Sequence, residues 1–145
     1  YNDGMSEQLF HVGVKALVRD DRGRVLLVGN CSHDGKQRYM DLPGGRMDAG
    51  EGFLDTLKRE LHEEIGTSYT GIPEYFDTVL SNVQPHIEYG QVGLVLLVYH
   101  TKLPESGVLK LGEQEHVYKW CEPTEAAELL QFKYPADFCE SVKGM

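Results

Sequence analysis

The chain has 145 residues, 41% hydrophobic and 10% aromatic, which suits one compact domain spanning 1–145. Its formal net charge of −9 disfavours broad nucleic-acid binding, because like charges repel phosphates. A small phosphorylated substrate is not excluded, since a bound cation reverses the field locally.

No apolar run approaches the ~20 residues of a membrane helix. Tyr1 to Gly4 lack the basic-then-apolar order of a signal peptide, and the missing initiator Met reads as a trimmed or processed chain. Cys31, Cys121 and Cys139 are widely spaced with no C-x-x-C pair, so neither a zinc site nor a disulfide framework is indicated. Free thiols fit a cytoplasmic protein.

Phe10 to Val18 alternates in part and is rich in Val, which predicts a strand. Asp20 to Gly23 is a turn, and Val25 to Val28 is the returning strand of a hairpin. Asn30 to Arg38 is polar and contains Asp34-Gly35, a loop signal. Leu42-Pro43-Gly44-Gly45 bends the chain toward a helix expected over about Glu51 to Ile65. Gly66 supplies its left-handed end. Tyr75 to Val83 reads as a strand. Val92 to His100 is nearly continuous apolar sequence, as in a strand covered on both faces. Leu103 to Gly107 is a loop, and His116 to Cys121 a short strand carrying Trp120. Pro123 opens a second helix in a favoured first-turn place, and Pro135 to Val142 forms a short terminal helix. Together these predict a mixed β-sheet between helical layers.

The helix after the glycine turn carries the chemistry. Leu54, Leu57, Leu61 and Ile65 form one apolar stripe. Glu60, Glu63 and Glu64 fall within an arc of roughly 100° beside it. Carboxylates so close repel one another and destabilise a helix, and hard oxygen donors in a cluster suit Mg²⁺ or Mn²⁺. A solvated acidic face is the competing reading of the charges alone.

Residues 45–67 resemble the Nudix box, G-x5-E-x7-R-E-U-x-E-E-x-G-U, with U aliphatic. Gly45, Glu51, Arg59, Glu60, Leu61, Glu63, Glu64 and Gly66 fill its fixed places. Thr67 departs at the last position, usually aliphatic, which affects packing and no charged group. The resemblance implies an α/β/α sandwich and hydrolysis, with a divalent metal, of a nucleoside diphosphate linked to another moiety. Nucleoside triphosphates, ADP-ribose or nucleotide sugars, and dinucleoside polyphosphates are the candidate substrates. It further implies Glu60, Glu63 and Glu64 as metal ligands, with a carbonyl of Gly44 or Gly45 added, because glycine lets the backbone approach an ion.

Arg59 is open to two roles: orienting box carboxylates with Glu51 as partner, which is favoured, or clamping a substrate phosphate. The general base is expected at Glu115, with Glu113, Glu88 or a box glutamate as alternatives. Arg38 and Tyr39 precede the glycine turn and are placed to contact base or phosphate. Many relatives have Trp at the position of Met40. Tyr75, Phe76 and Tyr89 are candidates for stacking, although strand aromatics are usually core. His86, His116 and Lys36 read as surface residues. A homodimer is compatible with the sequence. The rival reading is a non-catalytic nucleotide-sensing module of the same fold; retention of every box glutamate favours the enzyme.

Overall fold

In the computed structural model, which describes residues 7–32, 34–66, 72–88, 90–103 and 117–145, a long central strand organises the sheet. This strand, β1 (Phe10–Arg19), buries Val14, Ala16 and Val18 on one face and Leu17 on the other. Such two-sided apolar character is what an interior strand needs. Its neighbour β8 (Gly93–Lys102) runs parallel to it from the pair Phe10–Gly93 to the pair Arg19–Lys102. All other pairings among the described residues are antiparallel. The order is β3 (Arg38–Asp41), β2 (Val25–Cys31), β1, β8, β5 (Glu74–Leu80). Two short strands complete the sheet: β4 (Gly44–Arg46) pairs with β1 through Gly13–Lys15, and β9 (Tyr118–Cys121) pairs with β2. A separate two-stranded hairpin joins β6 (His86–Ile87) to β7 (Gly90–Gln91).

Helices cover both faces, so the expected mixed α/β/α sandwich is present. On one face α1 (Phe53–Ile65) packs Leu57, Leu61 and Ile65 on Val14, Ala16, Val18 and Leu26. On the other, α2 (Pro123–Leu129) and α3 (Ala136–Lys143) bring Ala126, Phe138 and Val142 onto Leu17, Leu27, Leu96 and Val98. Pro123 sits in the first turn of α2, as anticipated. All three cysteines are free thiols, Cys31 exposed and the other two buried. No helix among the described residues is long and apolar enough to cross a membrane.

Several boundaries differ from the sequence pattern, each for a reason of pairing. β2 runs on to Cys31 because Asn30 and Cys31 find partners in Tyr39 and Arg38 of β3. β5 ends at Leu80, short of Val83, and carries an irregularity between Tyr75 and Asp77. There Phe76 packs edge-on against Phe138 at 5.8 Å. Leu54 is 43% exposed, and Thr56 takes its place on the buried stripe of α1. Its hydroxyl is satisfied by donating to Glu51 Oε1 at 3.0 Å. Glu51 lies before the helix and not in its first turn.

The bend into the helix demands glycine at one place above all. Gly44 has φ +138°, and a Cβ there would lie 2.1 Å from the Val14 carbonyl oxygen. Gly50, at φ +83°, has open space around that position. Gly44→Ala is therefore expected to cost about 3 kcal/mol or more, strain and overpacking combined. Gly50→Ala should cost only about 1–2 kcal/mol. Urea unfolding of both variants checks this, and similar losses would show that the Gly44 turn can yield.

Candidate active site

The buried stripe of α1 fixes the helix rotation, and that rotation sets the box carboxylates beside the glycine turn. Gly66 closes α1 in the left-handed region at φ +65°, its N–H donating to the His62 carbonyl at 3.1 Å. The helix therefore stops at Ile65, which holds its last apolar anchor and Glu64 in place.

Arg59 is the hub of the acidic cluster. Its Nε and Nη2 donate to the two carboxylate oxygens of Glu51 at 2.7 and 3.0 Å, a bidentate pair. Nη1 donates to Glu60 Oε1 at 2.8 Å and to Glu63 Oε2 at 3.4 Å, and Nη2 also reaches the Arg46 carbonyl at 3.2 Å. The Arg59 guanidinium, the Asp48 N–H and the Thr56 hydroxyl hold the Glu51 carboxyl down at about 2. Glu51 thus staples the turn at Asp48, the first turn of α1 and Arg59 together.

Glu64 is different. Among the described residues no Arg or Lys side chain bonds it; its Oε2 accepts from the Gly44 N–H at 3.0 Å. Burial pushes its carboxyl up to about 7, with Glu60 and Asp41 adding to the rise and Lys15 and the Gly44 N–H opposing it. Tyr118 from β9 donates its hydroxyl to the Glu64 carbonyl and tethers the helix end to the sheet. Glu60 lies against Gly45, where a Cβ would meet its Oε1 at 2.4 Å. The two glycines therefore leave room for two carboxylates at one turn. Glu63 is largely exposed on the outer side. Among the described residues, no three acidic, His or Cys side chains converge as a finished cation cage.

A cleft of about 600 Å³ opens beside this turn, on the sheet face that carries α2 and α3. Gly44, Gly45 and Tyr39 line it, together with Lys15, Phe132 and Lys133. Arg38 is exposed and does not line it. Neither does Glu88, exposed in the turn between β6 and β7. His86 and Lys36, expected as surface residues, do contribute to its walls. Tyr75 packs edge-on against Tyr99 at 6.2 Å, and Phe76 belongs to the core. The aromatic pair in the cleft is instead Tyr39 with Phe132, their centroids 4.6 Å apart. Glu113, Glu115, His116 and Tyr89 lie outside the described residues.

Sequence reasoning missed the cluster at the base of the cleft. Asp41, fully buried, accepts from Lys15 at 3.1 Å, Lys133 at 2.6 Å and the Tyr134 hydroxyl at 2.6 Å. Burial alone would raise its carboxyl, but Lys15 and Lys133 outweigh that and hold it well below the usual carboxylate range. Lys15 also donates to the Leu42 and Gly44 carbonyls, each at 3.3 Å. One signal was legible: a lysine between Val14 and Ala16 in an apolar strand needs a buried partner.

This arrangement defines the class. Residues 9–138 match the family model of the NUDIX domain, and the chain belongs to that family, whose members generally use divalent metals. It is 40% identical over 63 residues to an RNA pyrophosphohydrolase of Ruthia magnifica, covering 43% of this chain and 33% of that relative. Over 62 residues it is 34% identical to an 8-oxo-dGTP diphosphatase of Haemophilus influenzae, covering 43% and 45%. The matched stretches span less than half the length of these curated relatives. The fold is also that of the E. coli dihydroneopterin triphosphate pyrophosphohydrolase, with TM-score 0.70 and 18% identity over 95% of this chain and 97% of that one.

The raised Glu64 carboxyl makes a pH prediction for the metal-free protein. Between about 4.5, its ordinary value, and about 7, the folded state holds more protons at Glu64 than the unfolded state. Stability must then fall as pH rises through that window and stay lower above it. Glu64→Gln removes this loss. In chelator, wild-type Tm relative to Glu64→Gln should drop between pH 4.5 and pH 8. A constant difference would mean that Glu64 is not held protonated.

Proposed function

We propose that the chain hydrolyses a phosphoric anhydride in a nucleoside diphosphate linked to a further group, using Mg²⁺, or Mn²⁺ in its place. The observation that carries this reading is the meeting of Glu60 and Glu64 at the Gly44–Gly45 turn, at the edge of the cleft. The donor set fits a hard cation: partly buried carboxylates on consecutive turns of a helix, beside glycines with no side chain to obstruct an ion. Glu60, Glu63, Glu64 and the Gly45 carbonyl would hold the cation; the Gly44 carbonyl already accepts from Lys15. When bound, the cation supplies charge neutralisation at the phosphoryl oxygens.

The protein's own groups do the rest. Arg59, with its donors engaged by Glu51, Glu60, Glu63 and Arg46, acts as a positioning residue. Tyr39 and Phe132 offer ring faces to a base, while Gly44 and Gly45 let phosphates approach the backbone. Glu115 is the candidate general base that would take the proton of the attacking water. The single domain over 1–145 and catalysis in the cytoplasm belong to the same proposal. The relatives suggest the panel to assay: pyrophosphate-bearing RNA, 8-oxo-dGTP and other nucleoside triphosphates, ADP-ribose and dinucleoside polyphosphates.

With Mg²⁺ one or more of these should release phosphate or pyrophosphate, and excess chelator should abolish the release. Glu64→Gln should lower kcat at least ~100-fold. Glu115→Gln should lower it ~10²–10⁴-fold while leaving metal affinity near normal. Full activity in chelator would remove the metal mechanism. Full activity of Glu115→Gln would move the base to Glu113, Glu88 or the box.

Arg59→Ala should lower Tm and metal affinity together, since one side chain holds Glu51, Glu60 and Glu63. A raised KM at unchanged Tm would instead assign Arg59 to substrate phosphate.

A further inference from the structure

The cluster around Asp41 places two ammonium groups against one carboxylate, so one formal positive charge is left over at the base of the cleft. The two lysines are not equivalent. Lys15 has three donors and three acceptors: Asp41, the Leu42 carbonyl and the Gly44 carbonyl. Lys133 also has three donors, but among the described residues Asp41 is the only acceptor of its ammonium. It lines the cleft while only 6% exposed, with its Nζ 5.9 Å from the centroid of the Tyr39 ring. Phe132, next in the chain, packs on that same ring. A buried ammonium with spare donors, beside two aromatic rings, suits a planar ring whose edge accepts a hydrogen bond.

We propose that Lys133 is a specificity-determining residue that donates to a keto oxygen on the edge of a nucleobase held in the cleft, so that 6-oxopurine nucleotides are preferred to 6-aminopurine ones. This rests on the reading that the cleft takes a nucleotide. The neighbouring groups sharpen the choice. The Asn30 side-chain N–H₂ faces Asp41 at 3.4 Å, and its carbonyl oxygen already accepts from the Cys31 N–H at 2.9 Å. The Tyr134 hydroxyl is committed to Asp41. An exocyclic amino group would therefore meet a donor, and leave both donors unsatisfied in a buried place. A phosphate fits less well here, since the proposed cation site lies across the glycine turn, by α1.

The test uses the unaltered protein first. Calorimetric binding of IMP and AMP compares bases that differ at the 6-position, oxo against amino. IMP should bind at least about tenfold more tightly, as expected for a hydrogen bond to a charged donor. The ratio of kcat/KM for GTP against 2-aminopurine riboside triphosphate, which lacks the 6-oxygen, should favour GTP similarly. Lys133→Met should remove both preferences; should that variant fail to fold, the wild-type pairs still decide. Equal binding of IMP and AMP with hydrolysis intact would overturn this inference alone. So would a preference that survives Lys133→Met, or an equal loss for IMP and AMP, which would put Lys133 on the phosphate. If no nucleotide is bound or cleaved, the inference falls together with the functional reading beneath it.

Discussion

A carboxylate with no access to water must be surrounded by donors, and Asp41 imposes that condition on the molecule. Stripping a charge of its solvent costs several kcal/mol, and loss of one partner from a buried pair typically costs about 3–5 kcal/mol. Its partners come from β1 and from the connection between α2 and α3, which lie 26, 92 and 93 residues away in the chain. The strand, the sheet edge and the C-terminal helical layer are thereby held to one point. Lys15, held there, also grips the Leu42 and Gly44 carbonyls and so sets the course of the chain into the glycine turn.

Gly44 joins this buried cluster to the acidic helix through its own peptide groups. Its carbonyl accepts from Lys15, and its N–H donates to Glu64. A side chain at Gly44 would strike β1, and one at Gly45 would strike Glu60. The turn is therefore in contact with a positively charged cluster on one side of the sheet and a carboxylate cluster on the other. That explains why Lys15 and Asp41, on the far side, both act on the Glu64 carboxyl.

The acidic helix manages its repulsion unevenly. Arg59 neutralises Glu51, Glu60 and, more weakly, Glu63. Among the described residues, Glu64 has a backbone N–H as its hydrogen-bond partner, and burial raises its carboxyl. The relatives, by contrast, carry different substrate names on the same fold. The glycine turn and box helix belong to the shared family scaffold, while the walls of the cleft are built largely from residues outside the box.

The box, its helix and the Arg59–Glu51 pairing could be read from the sequence, because they are local. Helical period, a glycine exit and charges at fixed spacing all act within about twenty residues. The central strands were equally legible, from a Val-rich, partly alternating stretch at β1 and a nearly continuous apolar run at β8. The short strands β3 and β4 were not, because they exist only through partners on β2 and β1. The cleft's aromatic pair, Tyr39 with Phe132, joins residues 93 positions apart that carry no joint signal in one dimension. The same holds for Lys15, Asp41, Lys133 and Tyr134. By itself the sequence determined the family, the acidic helix of the box and the kind of cation its carboxylates suit. Only the tertiary structure decided which distant lysines and rings meet around the cleft, because burial brings together groups whose attraction acts over a few ångströms of space, whatever their separation along the chain.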